Sequence, residues 1–288
     1  MKESETVKCI YCGGACCLKH KDMHHPVWKE MVHIDMYECT ICKSLTTYPM
    51  PSMGHLSFCY GKYSFNGFPD HKLKAKKYSS QHLWYCEILK LFDFHPPGHV
   101  RIADVGAGEG LLEEALLKKF SYDLNCFDYH PMPSRIKALN ETGATIGWHS
   151  VDLSTQDWMP KQNYDFVFCI SVIEHVINPA KLVNDLLSMT ISGGKIYLIG
   201  PCMDTPYYKL LRQKWVYMIP GEHLSIPSIK GLELLMKNIA QQKHQARIIK
   251  VSYSLKYILD SFFRINIPSF LDVVLKFPVG AFALEIVK

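Results

Sequence analysis

The chain has 288 residues, of which 48% are hydrophobic, and a formal charge of +5. That length holds one large domain or two smaller ones with a full core. The mild positive excess does not demand nucleic acid and suits an anionic small molecule equally well. Residues 2–8 carry charges and no apolar leader segment. No uninterrupted apolar run reaches the roughly 18 residues of a membrane span, so no integral membrane segment is expected. The eleven cysteines are scattered and odd in number. In a chain without a secretion signal they suggest a reducing cytoplasm, with some thiols bound to metal.

The chain begins with two C-x-x-C pairs, Cys9-Ile-Tyr-Cys12 and Cys39-Thr-Ile-Cys42, 26 residues apart. Each pair can place two thiolates on one tetrahedral ion, and two pairs close a four-sulfur structural zinc site. Gly13 and Gly14 follow the first pair, as a tight metal-binding knuckle often requires. A zinc-ribbon module over residues 1–52 is therefore expected, with Cys9, Cys12, Cys39 and Cys42 as ligands. Four reduced cysteines in a small core, or a catalytic dithiol, are the other readings. Cys16, Cys17, His20, His24, His25 and His33 lie nearby; any could replace one of these ligands, and the other reading is that they are solvated loop residues. About 50 residues hold too little core to fold alone, so metal binding would supply folding free energy on the order of 10 kcal/mol.

Pro49, Pro51, Ser52 and Gly54 read as a linker. Residues 53–97 are expected to form this linker and an N-terminal helical cap, with a helix over about 71–93. Its lysines, Lys72, Lys74, Lys76 and Lys77, read as a solvated face or an anion-binding patch. Pro96-Pro97-Gly98 ends the segment.

Over 98–288 strand and helix patterns alternate. Strands are expected at Val100–Val105, Tyr122–Asp128, Gly143–Trp148, Tyr164–Ile170, Lys195–Gly200, Arg247–Ser252 and Ala281–Val287. Helices are expected at Leu111–Lys119, Ser134–Asn140, Pro179–Met189 and Ile229–Lys237. The alternation argues an α/β fold with a doubly wound, mostly parallel, seven-stranded Rossmann-like sheet, preceded by the small zinc-ribbon domain. Insertions are expected near 204–225 and 255–278. The first contains Tyr207, Tyr208, Arg212 and Tyr217 and suits a lid or a packing helix. The second is apolar but broken by charges and Pro268, which suits a pocket wall, a homodimer face or peripheral membrane contact.

The most informative stretch lies where the first of these strands meets its helix: Asp104-Val-Gly-Ala-Gly-Glu-Gly110. A dinucleotide fingerprint reads G-x-G-x-x-G. Here the glycines are Gly106, Gly108 and Gly110, with Leu111 at the position of the third dinucleotide glycine. The stretch resembles the first motif of the class I S-adenosylmethionine-dependent methyltransferases, D/E-x-G-x-G-x-G. The resemblance implies that the last strand runs antiparallel to the rest. It also implies that Gly106, Ala107 and Gly108 touch the cofactor through bare backbone, with Asp104 orienting the turn or meeting the ammonium group. Asp128, at the end of the second strand, would accept from two ribose hydroxyls. Asp152 and Leu153 would meet the adenine. Tyr129 and Trp148 would pack on adenine or in the core, and Ser171 would line the pocket. Tyr63 would close over the methionine end or pack as an ordinary tyrosine.

The segment Cys169-Ile-Ser-Val-Ile-Glu-His-Val176 resembles the family's motif after the fourth strand, and Glu-His-Leu at 222–224 resembles a stretch that faces the acceptor. His175 and His223 are thus the two candidate general bases, each with a structural role as the alternative, and Glu174 is expected to anchor its loop by hydrogen bonding. Tyr37–Cys42, Tyr48–Ser52 and Tyr60–Tyr63 look like an N-terminal zinc module found before some bacterial-type methyltransferase domains, several of which act on sugars or other small metabolites. The resemblance implies methyl transfer from S-adenosylmethionine to a small polar metabolite, a sugar or nucleotide-linked sugar among them. An RNA-modifying enzyme that grips RNA through the zinc module is a rival, disfavoured by the lack of a clustered basic stripe. A non-catalytic cofactor-binding interaction protein is another.

Overall fold

The computed structural model describes residues 6–24, 34–52, 54–56, 84–96, 98–117, 122–154, 158–215, 217–239, 244–254 and 276–288. Tyr63, Lys72–Lys77 and positions 255–275 of the apolar insertion lie outside the described residues. The small sheet comprises β1 (Cys16–Met23), β2 (Ile34–Cys39), β3 (Leu45–Tyr48) and β9 (Ser225–Ile226), in that order. The large sheet is built from β4 (Arg101–Val105), β5 (Asp123–Asp128), β6 (Ile146–Ser150), β7 (Tyr164–Ile170), β8 (Thr190–Pro201), β10 (Gln245–Ser254) and β11 (Lys276–Val287). Its spatial order is β10-β11-β8-β7-β4-β5-β6. The pairs β4–β5, β5–β6, β4–β7 and β7–β8 are parallel. Only β11 runs against its neighbours β8 and β10, as the resemblance implies.

The central strands are near-continuous buried runs whose successive side chains point to opposite faces, both of them covered. Ile102, Leu124, Phe168, Tyr197 and Ala283 enter one core layer. Ala103, Phe127, Val167, Leu198 and Phe282 enter the other. Helices α1 (Leu111–Leu117) and α2 (Ser134–Glu141), with the helical residues 84–91, cover the first face. Helices α3 (Pro179–Met189) and α5 (Ile229–Ile239) cover the second.

Local signals fix the helix starts. Asn178 accepts the Lys181 N–H at 3.0 Å, with Pro179 in the first turn. The short α4 (Pro206–Leu211) repeats this with Thr205 and Pro206. Ser228 accepts the Gly231 N–H at 2.9 Å at the head of α5. Each cap satisfies a donor that the helix itself cannot, worth about 1 kcal/mol.

Several strand boundaries differ from the sequence expectation: the last strand begins at Lys276 rather than Ala281, the sixth runs over Gln245–Ser254 rather than Arg247–Ser252, and two further differences have a visible cause. The third strand starts at Ile146 rather than Gly143, because Asn140 brackets Ile146 through its N–H at 2.8 Å and its carbonyl at 3.1 Å. The fifth starts at Thr190 and runs through Gly193-Gly194. The last residue explains this: Lys288 accepts from Gly193 N at 2.8 Å and donates to Gly194 O at 3.1 Å. A stretch that reads as an exposed turn therefore has its backbone groups paired.

The small sheet is not closed by the N-terminal segment alone. Its fourth strand, β9, comes from the large domain, with Leu45 opposite Ile226 and Thr46 opposite Ser225. Cys9, Tyr11, Cys39 and Cys42 share one apolar cluster with Leu232 and Leu235 of α5.

Candidate functional site

The carboxyl ends of the neighbouring parallel strands β4, β5 and β7 share one end of the sheet, the side where open α/β sheets bind ligands in a crevice. β4 leaves the sheet through the glycine turn. Gly106 N donates to Phe127 O at 2.7 Å, fastening the turn to β5. Gly106 has φ +80°, and a Cβ there would stand 2.2 Å from Val172 Cγ2. Gly108 has φ +56°, yet a Cβ there would meet nothing within 4 Å. The first glycine serves internal packing; the second presents bare backbone to open space. Ala107 between them is buried.

Asp128 sits at the end of β5 and is buried to 7% exposure. Its Oδ2 accepts the Gly108 N–H at 2.8 Å and its Oδ1 accepts the His130 N–H at 2.9 Å. His130 Nδ1 stands 3.1 Å from Oδ1. Burial alone would raise the Asp128 pKa, but these contacts, His130 foremost, outweigh it and hold the carboxyl below its ordinary value. It is therefore a carboxylate at neutral pH, with lone pairs to spare for further donors. His130 was not singled out in the sequence; its place two residues after an acidic strand end is the signal that finds it.

Behind the turn two carboxyls are buried together. Asp104 is 5% exposed, and Glu113 on α1 is 1% exposed. Asp104 Oδ1 and Glu113 Oε2 find no partner among the described residues. Glu113 Oε1 accepts from Cys126 Sγ at 3.0 Å. Burial first, and each other's proximity second, raise the Asp104 pKa. Burial likewise raises that of Glu113. Two neighbouring carboxyls in so dry a site oppose each other's ionisation, which favours a proton held between them. Glu113 was also missed, though it lies three residues before Leu116, on the side of α1 that faces the sheet.

β7 ends at Ile170. Ser171 follows with φ +56° and donates its N–H to Ile199 O at 2.8 Å. This turns the chain into a 3-10 turn at Ile173–His175. The turn meets the segment after α4. His175 Nδ1 stands 3.0 Å from Glu222 O, and His223 Nδ1 stands 2.7 Å from Tyr217 O. A carbonyl only accepts, so both rings carry their proton on Nδ1 and direct the Nε2 lone pair elsewhere. The rings meet edge to face with centroids 4.7 Å apart. Burial lowers the His175 pKa, keeping the ring neutral.

Glu174 does not anchor its loop through its side chain. Oε2 has no hydrogen-bond partner among the described residues, and the group is 1% exposed. Its backbone does the anchoring: Glu174 O accepts the Leu224 N–H at 2.7 Å. Burial, offset only in part by a backbone N–H, raises the carboxyl to about 8.

The remaining expected cofactor residues are more peripheral. Asp152 Oδ1 accepts from Ser154 N at 2.9 Å and Ser154 Oγ at 2.6 Å, an Asx-type turn. Leu153 is half-buried beside it. Tyr129 is 45% exposed. Trp148 donates Nε1–H to His130 O at 3.0 Å.

The four expected cysteine ligands come together beside the small sheet. Cys9 Sγ lies 3.6 Å from Cys42 Sγ, and Cys12 Sγ lies 3.5 Å from Cys39 Sγ. The four sulfurs all lie within 4.8 Å of one another. Four sulfurs at about 2.3 Å from one tetrahedral zinc stand ~3.8 Å apart, so the donor set fits. The N–H groups of Ile41 and Cys42 point at Cys39 Sγ at 3.4 and 3.5 Å, supporting negative sulfur. The Cys9–Cys42 contact and Ser44 favour negative sulfur at Cys42, while the same contact pushes the Cys9 thiol up. Cys17 is exposed, and Cys16 bonds Gly14 O at 3.8 Å.

The cysteine module and the crevice are connected. Thr47 N donates to Leu224 O at 2.8 Å, and Thr47 Oγ1 to His223 O at 3.2 Å. Tyr11 OH and Ser225 Oγ are 2.7 Å apart. Ser228 bonds both Ser44 and the Cys42 carbonyl. None of these contacts was legible beforehand, since they join residues about 180 or more positions apart.

A parallel sheet with one reversed strand, a three-glycine turn and a strand-end carboxylate together define a class I S-adenosylmethionine-dependent methyltransferase. The chain belongs to the methyltransferase-domain family, whose model matches residues 77–239, more than half of its length. It is similar to the ubiquinone biosynthesis O-methyltransferases of Yersinia pestis and Yersinia pseudotuberculosis, at 24% identity over 149 residues. That match covers 51% of this chain and 54% of theirs, so the chain spans about half the length of these curated relatives. Solved structures with a similar fold include the plantazolicin methyltransferase BpumL in complex with SAH, at 16% identity and a TM-score of 0.47, covering 84% of this chain and 91% of that one. Another is the possible histamine N-methyltransferase from Thermotoga maritima, at 13% and 0.49, covering 82% and 100%. Among the described residues no helix is long and apolar enough to cross a membrane.

Proposed function

We propose that the protein transfers a methyl group from S-adenosylmethionine to a hydroxyl of a small polar metabolite, a sugar or nucleotide-linked sugar being the class that suits it. The observation that carries this reading is the open face of Gly108 beside the ionised Asp128. The cofactor supplies a methyl group already activated on sulfonium, so the protein has mainly to align the acceptor and exclude water. Asp128 would take the ribose hydroxyls, Gly106–Gly108 would back the methionine end, and Asp104 would lie behind its ammonium. Asp152 and Leu153 would border the adenine, with Tyr129 and Ser171 at the rim. When bound, the cofactor would supply the methyl group and keep the electron pair of the broken sulfur–carbon bond, while the chain's own residues would align the acceptor oxygen with it. The proton passes to Nε2 of His175 or His223, a transfer worth about 10²–10⁴-fold.

Oxygen as the methylated atom is in keeping with the kind of transfer the Yersinia relatives are named for. Cys9, Cys12, Cys39 and Cys42 would hold one structural zinc, closed to water by its four sulfurs. Their reduced state suits a cytoplasmic protein. The test is calorimetry with S-adenosylmethionine, followed by S-adenosylhomocysteine release in the presence of hydroxylated acceptors. No cofactor binding overturns the reading. Binding without release for any acceptor class would favour a non-catalytic role, and salt-sensitive RNA-dependent release would favour the RNA-modifying alternative.

A further inference from the structure

The geometry points to a second metal centre, formed by Glu174, His175 and His223, that takes a divalent first-row cation beside the acceptor crevice. One ligand atom from each of these three side chains lies within 4.8 Å of the other two. Glu174 Oε1 is 4.0 Å from His175 Nε2. Donor atoms around one ion at about 2.1 Å stand ~3–3.5 Å apart, so the three would close by about an ångström. Both rings are held through Nδ1, by Glu222 O and Tyr217 O.

Those two bonds are themselves informative. A metal-bound imidazole donates its other N–H to a carbonyl or carboxylate, which fixes the tautomer that ligates. Both histidines are held in that way. Glu174 supplies the independent observation: a carboxyl 1% exposed with Oε2 left without any donor. Burying a polar group unpaired costs about 1–3 kcal/mol, and nothing in the loop's own architecture requires it there, since the backbone of Glu174 does the anchoring. A cation would satisfy that carboxylate. Two imidazoles and one carboxylate with no sulfur suit a cation of the manganese-to-zinc series and leave coordination positions open. The side chain of His175 is 22% exposed, so the cluster is not sealed from solvent.

A cation here would bind the acceptor hydroxyl and lower its pKa so that its proton leaves to solvent water before transfer; in that state His175 and His223 ligate the ion in place of accepting the proton. This deepens the methyl-transfer reading but can be tested without it. The zinc-loaded full chain is titrated with Mn²⁺ alone, a cation that the sulfur cluster does not favour, and followed by electron paramagnetic resonance. The expected result is one bound Mn²⁺ per chain whose spin echo carries nitrogen modulation from the imidazoles. E174Q and H223N should each weaken binding at least about tenfold, with S-adenosylmethionine affinity retained as the check on folding. Mn²⁺ that stays free at millimolar concentration, or that binds without nitrogen modulation, overturns the centre. Cofactor affinity measured on the same sample shows separately whether the methyl-transfer reading stands.

Discussion

Replacing Gly106 or Gly108 with alanine should have opposite consequences, although the two lie two residues apart. Both have positive φ, so each methyl costs about 1–2 kcal/mol in backbone strain. At Gly106 the added Cβ would also sit 2.2 Å from Val172 Cγ2, inside the core. Such overpacking costs about 1–3 kcal/mol more. G106A should therefore lose roughly 2–5 kcal/mol, a large share of a typical 5–15 kcal/mol total. At 2–4 °C per kcal/mol, thermal unfolding should move down by about 5–15 °C. G108A, with nothing within 4 Å, should stay within about 2 kcal/mol of the parent but lose cofactor affinity, because its methyl occupies the crevice. The double variant G106A/V172A should recover the steric share and not the backbone share. Calorimetric melting and cofactor titration on all three variants measure this. If G106A melts no lower than G108A, or G108A binds cofactor as the parent does, the division of labour argued for the turn is wrong.

Asp128→Ala removes a charged acceptor worth about 1.5–3 kcal/mol, so S-adenosylmethionine affinity should fall roughly 10–100-fold by titration calorimetry. Cys39→Ser should release about one zinc per chain by metal analysis and lower the melting temperature. Tyr11→Phe leaves Ser225 unpaired and should cost about 1–3 kcal/mol in denaturant unfolding, with zinc content unchanged. The Asp104–Glu113 pair has folded-state pKa values raised above those of the unfolded chain. The folded form thus holds more protons than the unfolded one above the usual carboxylate range, and stability must fall as pH rises through that range. Glu113→Gln removes one proton site and offers Asp104 a donor, so its melting temperature should depend less on pH; an unchanged slope would mean the two carboxyls do not share a proton.

Much of the sheet could be read in advance because its signals are local. The expected bounds of β7 and α3 match the structure residue for residue, since Tyr164–Ile170 is a bounded apolar run and Asn178-Pro179 caps the helix through Met189. Boundaries failed where a distant residue completed the pairing, as Lys288 does for Gly193-Gly194. In the crevice, Asp128 and the glycines announce themselves by spacing. His130, Glu113 and the orphaned carboxyl of Glu174 do not, because a charged residue in a helical or turn pattern reads as solvated until tertiary packing closes over it. The hydrogen-bonding anchor expected at Glu174 is made by its backbone carbonyl, which accepts the Leu224 N–H, and every residue has such a carbonyl.

Because Ser225 and Ile226 complete a sheet begun by the first fifty residues, the N-terminal segment behaves as a keystone rather than as a detachable accessory. Trimming it away would strip Leu224 and Ile226 of their cover and leave a raw strand border inviting self-association. A shortened version would therefore tend to aggregate, and the loop bearing His223 would lose its footing along with it.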